Sequence, residues 1–146
     1  MNELIITPLD IIKVNKGDVM HAMKSHDPGF SGFGEAYFSC LNKGAVKGWK
    51  KHTEMTLNLI VPFGDVRFVI YDDREDSISK NTFQEVLLSR KGYFKRLTVP
   101  PLLWVAFQGL NLNQNIVLNI ANIEHNLDEV DQRSLRDLQY NWSMEK

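Results

Sequence analysis

The residues most capable of chemistry in this chain lie in one short run, Val46-Lys47-Gly48-Trp49-Lys50-Lys51-His52. On an extended strand alternate side chains share a face, so Gly48, Lys50 and His52 are predicted to point one way and Lys47, Trp49 and Lys51 the other. Turned toward an interior, Lys50 and His52 would set a cation and a general base beside a glycine that leaves room for a ligand. The alternative is a solvated basic edge strand, where lysines guard against aggregation. A second run, Thr98 to Gln108, opens on Pro100-Pro101, which donate no ladder hydrogen bonds and must mark a strand start or corner. There Trp104 and Gln108 share one face, able to stack on and hydrogen-bond a base or sugar or to join the core. Leu103, Val105 and Phe107 share the other. A third run, Gly64 to Arg74, carries Arg67 and Arg74, either of which could grip a phosphate, although Asp72 and Asp73 offer Arg74 local partners.

Other chemistries find little support. Four histidines, at positions 21, 26, 52 and 125, contain no His-x-His pair, so no metal is expected. The single cysteine, Cys40, has Phe38 and Leu41 nearby, which suggest a packed strand, and no base beside it, and it excludes an intramolecular disulfide. The glycine-rich stretch 28–34 lacks the strand–Gly–helix order of a dinucleotide site and reads as an aromatic loop, over a pocket or over one end of the fold. Seventeen basic residues against eighteen acidic ones leave no global field to recruit nucleic acid or a membrane surface. The longest apolar run, Leu102 to Phe107, is strand-sized, and the acidic N-terminus fails as a signal peptide, so a cytoplasmic location is expected.

The elements that must position these residues are short β-rich runs broken by Gly, Asn, Asp and Pro: 4–6, 11–14, 35–41, 45–50, 56–61, 66–71, 83–88, 94–99, 103–108 and 116–120. This rhythm predicts an antiparallel sandwich or barrel rather than βαβ units. Helix is confined to one turn over 18–23 and a short C-terminal helix from Glu129 to Leu138, where charges recur at three and four residues. With 146 residues and no repeat or linker, one domain over 1–146 is expected, and the apolar runs within residues 1–16 could be donated to a second subunit.

Gly44 to His52, Val66 to Arg74, Val99 to Phe107 and Tyr140-Asn141-Trp142 together resemble the dTDP-4-dehydrorhamnose 3,5-epimerase family over roughly residues 33–142. The resemblance implies an all-β, cupin-type double-stranded β-helix (jelly roll) and a homodimer with exchanged N-terminal strands. It also implies work, without a cofactor, on nucleotide-linked 4-keto-6-deoxy sugars in bacterial surface-polysaccharide synthesis. In that family a basic residue, Gly and a bulky residue precede the histidine that removes the proton beside the ketone. Here Lys47 is the basic residue and Lys50 occupies the base position, while His52 falls where related sugar ketoisomerases carry a second histidine. Val105 stands where the other motif has its histidine, and the family's acid, a tyrosine, falls near Glu124 and His125. The expected site is therefore His52 as base and Lys50 as its electrostatic partner, with Lys47, Trp104 and Arg67 as substrate contacts. An unperturbed lysine, with a pKa near 10.4, is a poor base at pH 7. Two functions follow: an isomerase that enolises a keto-sugar nucleotide, or a cupin that binds such a molecule without turning it over.

Overall fold

The computed structural model describes residues 1–144. Its strands, in chain order, are β1 (Ile5–Pro8), β2 (Ile11–Ile12), β3 (Val19–Met20), β4 (Glu35–Leu41), β5 (Val46–His52), β6 (Leu57–Phe63), β7 (Asp65–Asp72), β8 (Thr82–Ser89), β9 (Lys95–Val99), β10 (Trp104–Gly109), β11 (Asn115–Ala121) and β12 (Val130–Gln132). Two five-stranded antiparallel sheets, ordered β1-β9-β6-β11-β4 and β12-β5-β10-β7-β8, face one another, with β2 and β3 forming a separate ribbon. This is the antiparallel two-sheet arrangement expected from the spacing of the runs, and the jelly roll that the family resemblance implies.

Alternation explains how the sheets meet. Val66, Phe68 and Ile70 of β7 point inward against Leu57, Leu59 and Val61 of β6 and Leu97 and Val99 of β9, forming one continuous core. Each such side chain contributes about 1.5–3 kcal/mol when fully buried. The odd-numbered residues of β7, Arg67, Val69 and Tyr71, face outward, where a second cluster forms around Trp49, Val69, Trp104, Ala106 and Leu138. The C-terminal segment lies over that outer face: the carbonyl of Trp142 accepts hydrogen bonds from Arg67 and Gln108, both at 3.1 Å.

Three local expectations change. The helix predicted over Glu129 to Leu138 is absent; a single 3-10 turn, Leu127–Glu129, leads directly into β12. That segment has no apolar stripe to bury as a helix, whereas pairing Val130, Asp131 and Gln132 with His52, Lys51 and Lys50 satisfies the open edge of β5. The turn predicted over 18–23 is instead β3, paired with β2. The glycine-rich loop covers the outer face of the first sheet, where Asn58 and Arg96 donate to the carbonyls of Gly29 and Pro28. The double proline does form a corner, and Leu102 beyond it donates its N–H to the carbonyl of His52 at 2.7 Å.

Candidate active site

The site is built on an irregularity in β5. Lys50 pairs with Val105 and Lys47 with Phe107, so two residues, Gly48 and Trp49, face the single residue Ala106. This is a β-bulge, and the extra residue breaks the alternation of faces. Only glycine fits at its first position: Gly48 has φ +144°, and a Cβ there would lie 2.4 Å from Cβ of Ala106. The consequence corrects the strict alternation predicted for this strand. Lys47 joins Lys50 and His52 on the inner face, while Trp49 and Lys51 remain on the outer one.

These three residues line a cavity of about 220 Å³ between the sheets. The facing wall comes from Tyr37 and Ser39 of β4, Leu57 and Leu59 of β6, and Val117 and Asn119 of β11. Lys47 Nζ reaches across to donate to Ser39 Oγ at 2.7 Å. The Lys50 ammonium has no hydrogen-bond or ionic partner among the described residues, and the neighbour of Lys50 across the ladder is the apolar Val105.

His52 is the best-defined group. It is buried at 8% exposure, and its Nδ1 makes a short hydrogen bond to Oε1 of Glu129, itself 4% exposed. The other carboxylate oxygen of Glu129 accepts the backbone N–H groups of Glu54 and Met55, both at 3.1 Å. Burial alone would raise the Glu129 pKa, but the His52 bond and the two N–H donors outweigh it and hold the carboxyl below its ordinary value. An ionised Glu129 accepts a hydrogen bond from the Nδ1–H of His52. That fixes the tautomer, leaves the Nε2 lone pair for a ligand, and stabilises the imidazolium formed when Nε2 accepts a proton.

Tyr37 offers complementary chemistry from the opposite sheet. Its hydroxyl oxygen accepts from Asn119 Nδ2 at 3.1 Å, and Asn119 is oriented by accepting the N–H of Asn58, also at 3.1 Å. The phenolic proton is thus left to donate, and the Asn119 amide would support the phenolate left behind.

Two residues expected to bind substrate lie elsewhere. Arg67 and Trp104 are on the outer face of the second sheet, because Arg67 alternates with the inward Phe68 on β7 and Trp104 with the inward Val105 on β10. Arg67 is 6% exposed, and its Nη2 donates to Gln108 and to the carbonyls of Trp142 and Ser143. Trp104 donates from Nε1 to Asp73 at 2.7 Å. Glu124 and His125, near the family's acid position, are exposed in the loop after β11 and do not line the cavity. Cys40 faces solvent on β4. Arg74 pairs locally with Asp72, as expected, with Nη2 at 2.9 Å. Among the described residues no group of three or more His, Cys, Asp or Glu is placed to hold a metal ion, and no helix is long and apolar enough to cross a membrane.

Sequence reasoning missed Tyr37, Asn119 and Glu129. Alternation along β4 does group Tyr37 with Ser39 and Leu41, but only the meeting of the two sheets shows that this face looks at His52. Glu129 read as one charge among several on a helix.

Two antiparallel sheets closed around a titratable inner face define a cupin of the kind that works on a small molecule held between its sheets. A dTDP sugar isomerase from Desulfovibrio desulfuricans G20 superposes with a TM-score of 0.93 at 30% identity, over 99% of this chain and 93% of that one. The chain belongs to the family of dTDP-4-dehydrorhamnose 3,5-epimerases and related sugar isomerases. A 3,5-epimerase from Legionella pneumophila, solved with dTDP-4-keto-L-rhamnose, shares the fold at 18% identity, with a TM-score of 0.82 over 94% of this chain and 76% of that one. Among curated proteins, a probable low-salt glycan biosynthesis epimerase of Haloferax volcanii is 22% identical over 101 residues, 68% of this chain. The match spans 64% of that relative's length. No family model matches the chain.

Proposed function

We propose that the protein enolises a nucleotide-linked 4-keto-6-deoxy sugar and inverts one carbon next to the ketone. The observation that carries this reading is the buried His52–Glu129 pair, whose histidine lines the cavity. His52 Nε2 removes the proton beside the ketone, and the bonding pair moves into the enolate. Lys50, a cation with no partner among the described residues, stabilises the developing oxyanion. Tyr37, on the opposite sheet, returns a proton to the other face of the same carbon, which inverts it. Lys47, fixed by Ser39, meets the diphosphate at the mouth. Val105 supplies no proton chemistry, which favours one inversion over two. The binding role expected for Arg67 and Trp104 is not carried forward, since neither reaches the cavity.

The setting that fits is cytoplasmic synthesis of a bacterial surface polysaccharide, such as lipopolysaccharide, by a single-domain homodimer. Support for the dimer comes from the β2–β3 region, where Ile12, Val14 and Val19 are 48%, 48% and 50% exposed. The strand β1 already pairs with β9 of its own chain, so the exchanged element would be this ribbon. A monomer mass by light scattering at micromolar concentration would remove the dimer.

The function is tested in deuterated water. NMR is expected to show deuterium entering beside the ketone of a dTDP-4-keto-6-deoxy sugar, with loss of exchange in His52→Ala. Binding with exchange at the uncatalysed rate in the wild type would instead establish a cupin that holds the sugar nucleotide without converting it.

A further inference from the structure

We infer that Trp142 is a positioning residue for the two cavity lysines, acting from the outer face of the sheet through Trp49. The inference rests on the reading of the cavity as the substrate site. Trp49 is the outward member of the bulge, and its side chain is fully buried although both of its sequence neighbours line the cavity. The bulge is where β5 leaves the ladder with β10, so the directions of Lys47 and Lys50 depend on how Trp49 is seated.

Phe83 of β8 flanks the Trp49 indole, with ring centroids 6.1 Å apart, and the other contacts that seat it come from the C-terminal segment. The backbone N–H and C=O of Trp49 exchange hydrogen bonds with Arg133, each at 3.1 Å. Its indole packs on Trp142 with ring centroids 5.7 Å apart, and Trp142 packs edge-on against Tyr140 at 4.6 Å. Neither indole nitrogen has a hydrogen-bond partner among the described residues, so ring packing rather than a polar bond locates the pair. Trp142 is held in turn by its main chain, whose carbonyl accepts from Arg67 and Gln108. The base is held differently. His52 is oriented by Glu129, which is fixed by the N–H groups of Glu54 and Met55, so disturbing Trp142 should move the lysines and leave the base in place.

The test compares Trp142→Ala and Trp142→Phe in the full chain. Reductive 13C-methylation makes the lysines visible by NMR, with Lys47 and Lys50 assigned from Lys→Arg variants. Trp142→Ala is expected to shift or broaden those two signals, to leave Lys13 and Lys91 unchanged, and to be rescued by Trp142→Phe. Calorimetry with dTDP should show affinity weakened about tenfold, and proton exchange per folded molecule should fall about 10–10²-fold, the scale of a displaced but intact site. In a Lys50→Ala background Trp142→Ala should add little further loss of exchange. Lower thermal stability with unchanged lysine signals and unchanged dTDP affinity would overturn the inference, as would fully additive losses with Lys50→Ala. A wild type that neither binds dTDP nor exchanges the proton would defeat the reading of the site, while the lysine signals would still decide the positioning.

Discussion

Lys50 and Lys51 are adjacent in sequence, yet the two faces of the sheet put them to opposite uses. On the cavity face Lys50 stands opposite Val105 with no acidic partner among the described residues, and His52 keeps Nε2 for a ligand. On the outer face Lys51 lies 3.3 Å from Asp73 and 4.9 Å from the centre of the Trp104 ring, which Arg133 covers from 4.5 Å. Asp73 also accepts the Trp104 N–H and faces Arg133 at 3.6 Å. Outer charges are satisfied by one another and secure the C-terminal segment, whereas the Lys50 ammonium lines the cavity without an acidic partner among the described residues. Charge in this region is therefore informative about function only once the face is known.

The comparison can be broken most sharply at His52. His52→Ala should reduce proton exchange about 10²–10⁴-fold, the usual worth of a positioned general base, with the two-sheet fold retained by circular dichroism. Lys50→Ala should lower exchange about 10²-fold, comparable to removing one oxyanion donor, whereas Lys51→Ala measured beside it should leave the rate per folded molecule close to wild type. Tyr37→Phe should slow turnover by about tenfold or more while allowing some wash-in of solvent deuterium, because proton removal by His52 survives the loss of the donor; equal retention of both would remove Tyr37 as the acid.

Two smaller effects sharpen the contrast through stability. The Glu129 carboxyl is held below its ordinary value of 4.5, so its contribution is complete above that value and is lost as the pH falls through the lower folded-state value. The gap in thermal midpoint between wild type and Glu129→Gln should be constant from neutral pH down to about 5 and should shrink below about 4.5. Asp72 is depressed too, chiefly by Arg74 and further by Ser77 and Ser79, so only this difference isolates Glu129. On the outer face Trp104→Phe removes the N–H bond to Asp73 and keeps the ring. A loss of about 1 kcal/mol in chemical denaturation, with exchange unchanged, is the expected result.

Much of the fold was legible because antiparallel strands announce themselves locally. The runs at 35–41, 66–71 and 103–108 fall within a residue or two of β4, β7 and β10, since alternation and turn residues are properties of the chain itself. The segment after Glu129 was not legible: its charge spacing suits a helix, but an unpaired edge of β5 and a buried partner for His52 decide the matter. Within the site, His52 and Lys50 could be picked out from their spacing on one strand. Lys47 could be picked out only by type, because its face depends on a bulge that alternation does not predict.

The sequence by itself determined the strands, the two-sheet class and the concentration of chemistry in Val46 to His52, because side-chain periodicity and turn chemistry act over a few residues. Only the tertiary structure decided which of those side chains share a cavity, since a single extra residue at Gly48-Trp49 reverses the face of everything on its far side. It also decided what completes the site. Glu129 lies 77 residues beyond His52, and Tyr37 lies on the facing sheet; such partners meet only when the sheets close around a common core.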